Sequence, residues 1–257
     1  SPMAPVVIVP LILWFGWRGM FQILGIVGLV YVFFYALFVK QTKPQEETEE
    51  DKGKKNKYFL HLLKFSLIWK LILCAFCISC INKGLDAWMP TYLIAERGIN
   101  LKAVGYLTPI PFIASFLSTA ICGWVMNKYF DKKENWMIVI CAAMTAIFLY
   151  FMYNAETIMW VVIFQCGVYF FKACIMGTAV AIVLKIVTGS IAGCTSTLIN
   201  MGGQVAGFIS PIIMGYLVYV FNGSFNAVFY YLMGVAALCA ISALLIPTRK
   251  EDMLDLE

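Results

Sequence analysis

Three charged side chains stand inside long apolar runs, and any chemistry in this chain has to start from them. Lys83 and Asp86 lie in the run 67–95, and Lys172 lies near the middle of 157–187. Charge at such depth is expensive unless it meets a partner or a water-filled cavity. Lys83 and Asp86, at i and i+3, share a helical face and are spaced for an ion pair. In one reading Lys83 contacts a carboxylate or phosphate and Asp86 sets its charge. In the other, both sit near the outer end of a long helix and face water. Lys172 has less freedom, because snorkelling out from mid-run is hard. Gln165, Tyr169 and Lys172 fall at i, i+4 and i+7, opposite a face of Val, Ile, Phe and Met. Such a stripe is expected to line a cavity, where the ammonium attracts an anion and the amide and phenol orient it in a low dielectric. The competing reading is a structural lysine, paired with backbone carbonyls or with an acid from outside this run.

A second polar face follows in 191–220, where Ser196, Asn200, Gly203, Gln204 and Gly207 recur at helical spacing. Small residues there allow close helix packing, while Asn200 and Gln204 offer paired donors and acceptors for hydroxyl groups. Both roles stay open for these two side chains; the glycines are read as packing. Cys74, Cys77 and Cys80 form a C-x2-C-x2-C run of the kind that holds metal. In an apolar helix, with the single His at position 61, they read better as small buried hydrophobes. One His, no phosphate-cradling glycine loop and no plausible triad leave enzyme chemistry nothing to use, and no cofactor or metal is implied.

The elements that must position these groups are membrane helices. Hydrophobic residues make up 62% of the 257 and charged residues only 13%. Soluble domains carry roughly 25% charge, so lipid must be the solvent for most of this chain. A short run at 3–15, rich in Pro, is followed by a polar turn at Gly16-Trp17-Arg18 and a second run at 19–39. Residues 40–66 form a linker with an acidic block (Glu46 to Asp51) and a lysine block (Lys52 to Lys57). Mixed-sign, aromatic-poor sequence of this kind reads as a solvated connector. Further helices are expected at 67–95, 101–127, 134–153, 157–187, 191–220 and 226–247, then a polar tail at 248–257. Pro109, Pro111 and Pro211 are expected to kink theirs. The chain opens inside an apolar stretch without a signal peptide, as a fragment would.

Every second connection is basic: the linker, the turn at Lys128, Lys132 and Lys133, the region after Lys185, and the tail with Arg249 and Lys250. The positive-inside rule makes these cytoplasmic and gives a six-helix bundle with both ends inside. The formal net charge of +5 follows from that bias and needs no nucleic-acid partner.

In this order the motifs resemble the major facilitator superfamily over essentially the whole chain, from the end of its fifth helix to its twelfth. Gly16-Trp17-Arg18-Gly19-Met20-Phe21, with Gly25 and Gly28, is similar to the fifth–sixth helix junction of the anion:cation symporter branch. Trp88-Met89-Pro90-Thr91-Tyr92-Leu93 is similar to that branch's WxPTYL end of helix seven, and places Tyr92 among the substrate-binding candidates. Gly123-Trp124-Val125-Met126-Asn127-Lys128 with Asp131 resembles the superfamily's gating loop, here with Asn127 where an Asp is usual. Asn200, Gly203, Gln204, Gly207, Ser210, Pro211 and Gly215 resemble helix eleven. Gly223-Ser224-Phe225-Asn226 resembles the entry to helix twelve. The stretch from Lys83 also resembles the organophosphate:phosphate antiporters, with Lys83 near the place of an anion-binding Arg.

The resemblance implies an all-α, polytopic C-terminal bundle preceded by the end of the N-terminal one. It implies secondary transport of a small organic anion, a sugar acid or carboxylate, at the plasma membrane. A proton or sodium ion would be the coupling ion, and the N-terminal half the missing partner. Phosphate exchange and a non-transporting half-length subunit are the alternatives.

Overall fold

Apolar runs with small and polar residues on one side become helices that bury that side against one another. The computed structural model describes residues 3–38, 63–130, 133–186 and 192–246. The linker's two charge blocks, Asp131, Lys132 and the tail lie outside the described residues. Eight helices occur among them: α1 (Met3–Phe38), α2 (Ser66–Ala95), α3 (Leu101–Leu107), α4 (Pro109–Tyr129), α5 (Glu134–Tyr153), α6 (Ile158–Ile186), α7 (Ala192–Val220) and α8 (Asn226–Leu244). With α3 and α4 taken together, seven helical spans are long and apolar enough to cross a membrane.

Two breaks have plain local causes. Within α1, Gly16 adopts φ 68° and ψ 172°, a left-handed φ that only glycine takes without strain. The expected polar turn is thus a break at one residue, beside which the Arg18 guanidinium lies 5.1 Å from the Trp17 ring centre. The run expected as one helix at 101–127 is divided at Thr108, because Pro109 has no N–H to continue the ladder. Asn100 caps α3 by accepting the Ala103 N–H at 2.8 Å, and the Thr108 hydroxyl donates to the Val104 carbonyl at 2.7 Å. Pro211 differs: α7 runs through it as one helix.

α2 is the organising element. It packs most extensively on α7 and also on α8 and α6, while α6 packs on α4 and α5, and α5 on α8. The α2–α7 seam closes on glycines. A Cβ at Gly203 would lie 2.7 Å from Ser79 Oγ, one at Gly84 2.6 Å from Met214 Sδ, and one at Gly215 3.0 Å from the Trp88 ring. Ser210 Oγ donates to the Cys80 carbonyl at 2.9 Å, and Trp88 Nε1 donates to the Pro211 carbonyl at 3.1 Å. Small residues bring the backbones together, and hydrogen bonds between helices then become possible without water.

The apolar core has two parts. One contains Leu85, Met89, Tyr92, Tyr169, Phe225, Phe229 and Leu232; the other contains Leu71, Cys74, Cys77, Ile138, Cys174 and Cys239. Helix α6 passes from one part to the other between Tyr169 and Cys174, and Lys172 stands at that seam. Cys74, Cys77 and Cys80 are each at most 2% exposed, and no metal-holding group occurs among the described residues. The run is core packing. By contrast, the stretch of α1 after Gly16 leaves most of its apolar side chains uncovered, with only Met20 buried.

Candidate functional site

Three side chains from two helices meet at the middle of the bundle. Lys172 is the fifteenth residue of the twenty-nine in α6 and is 4% exposed. Its Nζ lies 2.8 Å from Asp86 Oδ1 on α2. The same carboxylate oxygen accepts the Tyr169 hydroxyl at 2.8 Å. The Lys172 ammonium also lies 3.4 Å from the centre of the Tyr169 ring, a cation–π contact that adds to the ion pair. Gln165, 2% exposed, adjoins the Tyr169 hydroxyl. Phe112 on α4 meets the Tyr169 ring edge-on at 5.2 Å between centroids. One helical stripe therefore supplies an amide, a phenol and a cation, and a second helix supplies the counter-ion.

This arrangement changes the pairing expected from sequence spacing. Asp86 pairs with Lys172 across the helix interface, not with Lys83 three residues before it on its own helix. The Lys83 stem instead lies along α7, where its Cγ is 3.2 Å from the position a Cβ on Gly207 would take. For Lys172 the partner is an acid of this same bundle, neither a backbone carbonyl nor an acid from elsewhere. The two members of the pair differ sharply in access: the Asp86 side chain is 39% exposed and that of Lys172 4%. The carboxylate is the open member of the pair, and the ammonium is the enclosed one.

On α7, Gln204 Nε2 donates to Asn200 Oδ1 at 3.2 Å, and both side chains are exposed. Asn200 also lines a cavity of about 310 Å³ with Ser79, Ser196 and Gly203 at its polar edge and Leu71, Ile78 and Met176 among its apolar walls. Tyr92 stands apart from all of these. Its ring packs edge-on against Phe225 and Phe229, and its hydroxyl accepts from Arg97 Nε at 2.8 Å. Gly123, Asn127 and Lys128 lie exposed at the end of α4, where the Lys128 ammonium sits 4.7 Å from the Trp124 ring centre; Asp131 lies outside the described residues. Sequence spacing did not reveal Phe112 or Arg97, since each acts through a ring on another turn or another helix.

A family model described as Major Facilitator Superfamily matches residues 2–208. The chain belongs to the major facilitator superfamily. Proteins of this superfamily are membrane transporters, so the seven apolar spans are those of a multi-pass membrane protein. Among curated relatives, the chain is 26% identical over 179 residues to the probable galactarate/D-glucarate transporter of Escherichia coli (strain K12), covering 66% of this chain and 38% of that protein. It is 29% identical over 97 residues to the glycerol-3-phosphate transporter of Haemophilus influenzae (strain ATCC 51907 / DSM 11121 / KW20 / Rd), covering 36% of this chain and 20% of that one. The match to the first thus spans about two fifths of its length. A crystal structure of a bacterial homologue of the human lysosomal transporter Spinster, inward-facing and unoccupied, has the same fold. It aligns with a TM-score of 0.63 at 13% identity, over 94% of this chain and 60% of that one.

Proposed function

We propose that this major facilitator bundle takes part in secondary transport of a small organic anion, a sugar acid or related carboxylate, by cation-coupled symport. The observation that carries the reading is the buried Lys172 ammonium at the bundle's centre, framed by Tyr169 and Gln165. A cation in low dielectric recognises a carboxylate strongly, and neighbouring donors fix its orientation. The probable galactarate/D-glucarate transporter among its relatives agrees with that chemistry. Asn200 and Gln204 would meet sugar hydroxyls from α7, Lys83 would add a second positive charge, and Asp86 would tune the cluster. Tyr92 would act from the edge of the site. Gly123, Asn127, Lys128 and Asp131 would form a gating turn.

Alternating access needs a second bundle to rock against this one around the site. The greater length of the relatives leaves room for it, and that N-terminal half would complete the transporter. The linker, the turn after α4 and the tail would face the cytoplasm of a plasma membrane.

The test is uptake into proteoliposomes holding the full-length protein. The reading expects an inward proton or sodium gradient to concentrate labelled galactarate several-fold. A second reading, organophosphate/phosphate antiport, is favoured by the similarity to a glycerol-3-phosphate transporter. Exchange of internal phosphate for external glycerol 3-phosphate, without galactarate uptake, would establish that reading in place of the first. Neither activity would leave a non-transporting membrane subunit.

A further inference from the structure

The pair at the centre poses a problem for any anion carrier, because the cation meant for the substrate already has a counter-ion. Asp86 Oδ1 receives both the Lys172 ammonium and the Tyr169 hydroxyl at 2.8 Å. An anion coming from the exposed side meets the carboxylate first, a like charge in front of its target. If it displaced Asp86 while Asp86 stayed ionised, two negative groups would share one ammonium in a low-dielectric site. Like charges that close cannot both remain ionised without a large penalty.

We propose that Asp86 is an internal stand-in for the substrate anion, holding Lys172 between transport events and taking up a proton when an incoming carboxylate replaces it. The inference rests on the organic-anion reading above and gives that reading its coupling group. The exchange balances. One proton from the aqueous side bonds to an Asp86 carboxylate oxygen, the Asp86–Lys172 ion pair opens, and a substrate carboxylate forms the new pair with Lys172. At Lys172 the charge stays the same before and after, because one substrate carboxylate stands where the Asp86 carboxylate stood. Reversal on the far side releases the anion and the proton together.

Among the described residues, the surroundings of Asp86 hold no competing acid. From α6 it faces Tyr169 and Lys172, and on its own helix Lys83 lies one turn earlier along Gly207. Helices α7 and α8 carry no Asp, Glu, Lys or Arg; Tyr231 of α8 is directed at Cys80 and Ser210. From α4, the Phe112 ring packs edge-on against Tyr169. Among the described residues, Glu96, Glu134 and Glu156 all lie at helix ends or in connections, so Asp86 is the only carboxylate within the interior of a membrane-length helix. Tyr169 is the device that keeps the exchange local. Its hydroxyl donates to Asp86 now, and the same position lets it donate to a substrate carboxylate at Lys172.

The experiment measures proton uptake and infrared difference spectra as galactarate binds to the full-length protein in nanodiscs. The proposal expects about one proton taken up per galactarate, with a carboxylic-acid band appearing as a carboxylate band is lost. Asp86→Asn should bind galactarate without proton uptake, lack the new band, and lose the pH dependence of its affinity. It should still exchange galactarate across the membrane but no longer concentrate it on a proton gradient. Galactarate binding by the parent without either signal overturns the proposal, as does undiminished proton uptake in Asp86→Asn. If Asp86→Asn does not fold, the parent's spectrum still decides, and Asp86→Glu must shift the band. Failure of the parent to bind galactarate at all overturns the organic-anion reading itself, and this inference with it.

Discussion

Asp86 and Lys172 form an ion pair of unequal access, with the carboxylate partly open to solvent and the ammonium almost wholly enclosed. That inequality sets what happens when either partner is removed. Lys172→Met leaves a carboxylate that water can still reach, whereas Asp86→Ala leaves an enclosed cation with no counter-charge. Breaking a buried pair costs roughly 3–5 kcal/mol when the remaining charge is enclosed, and much less when it is hydrated. Asp86→Ala is therefore expected to lower the melting temperature in detergent several degrees more than Lys172→Met does. Equal losses would contradict the geometry.

Tyr169 contributes a hydroxyl and a ring, and the two separate by substitution. Tyr169→Phe removes the hydrogen bond to Asp86 but keeps the ring beside Lys172 and against Phe112. A hydrogen bond to a charged group contributes about 1.5–3 kcal/mol, less here because Asp86 is partly solvated. The expected result is a small loss of stability with a several-fold rise in the KM for galactarate. Tyr169→Leu also loses the ring contacts and should cost visibly more in thermal unfolding.

The α2–α7 seam predicts a coupled pair. A methyl group at Gly203 would fall 2.7 Å from Ser79 Oγ and 3.7 Å from Ser79 Cβ. Overpacking against a neighbour that cannot move costs roughly 1–3 kcal/mol. Ser79 Oγ can turn aside, however, and Ala favours a helix over Gly by about 1 kcal/mol. Gly203→Ala alone should therefore cost little. Adding Ser79→Ala should make the pair more stable than the single variant, since only the hydroxyl is in the way. A double-mutant cycle read by thermal unfolding checks the coupling.

Membrane orientation can be tested at two exposed positions on opposite ends of α5. Single cysteines placed at Lys133 and at Asn154, in a background otherwise without reactive thiols, should be labelled by an impermeant maleimide from opposite sides. Lys133 is predicted on the cytoplasmic side, because the turn before α5 is basic. Labelling of both from one side would break the six-span arrangement.

The helices were legible because lipid forces every spanning segment to be long, apolar and internally hydrogen-bonded. The run 134–153 is a helix over the same residues, and the others agree within a few residues at each end. The division at Thr108 depends on Pro109 acting as a helix start, which an apolar count over 101–127 does not register. Within the site, the stripe Gln165–Tyr169–Lys172 could be read because it repeats at helical spacing along one element. The Asp86–Lys172 pair could not, because its members are 86 positions apart and only the packing of α2 on α6 brings them together. Spacing favoured Lys83 as the partner of Asp86, but the Lys83 stem lies against Gly207 of α7 instead.

The central claim is that Lys172 is where the anion binds. It is tested by the thermal stabilisation that galactarate gives the full-length parent, compared with Lys172→Met and Lys83→Ala in the same preparation. The account predicts clear stabilisation of the parent, none for Lys172→Met, and a reduced shift for Lys83→Ala. Stabilisation of Lys172→Met as strong as that of the parent would contradict it.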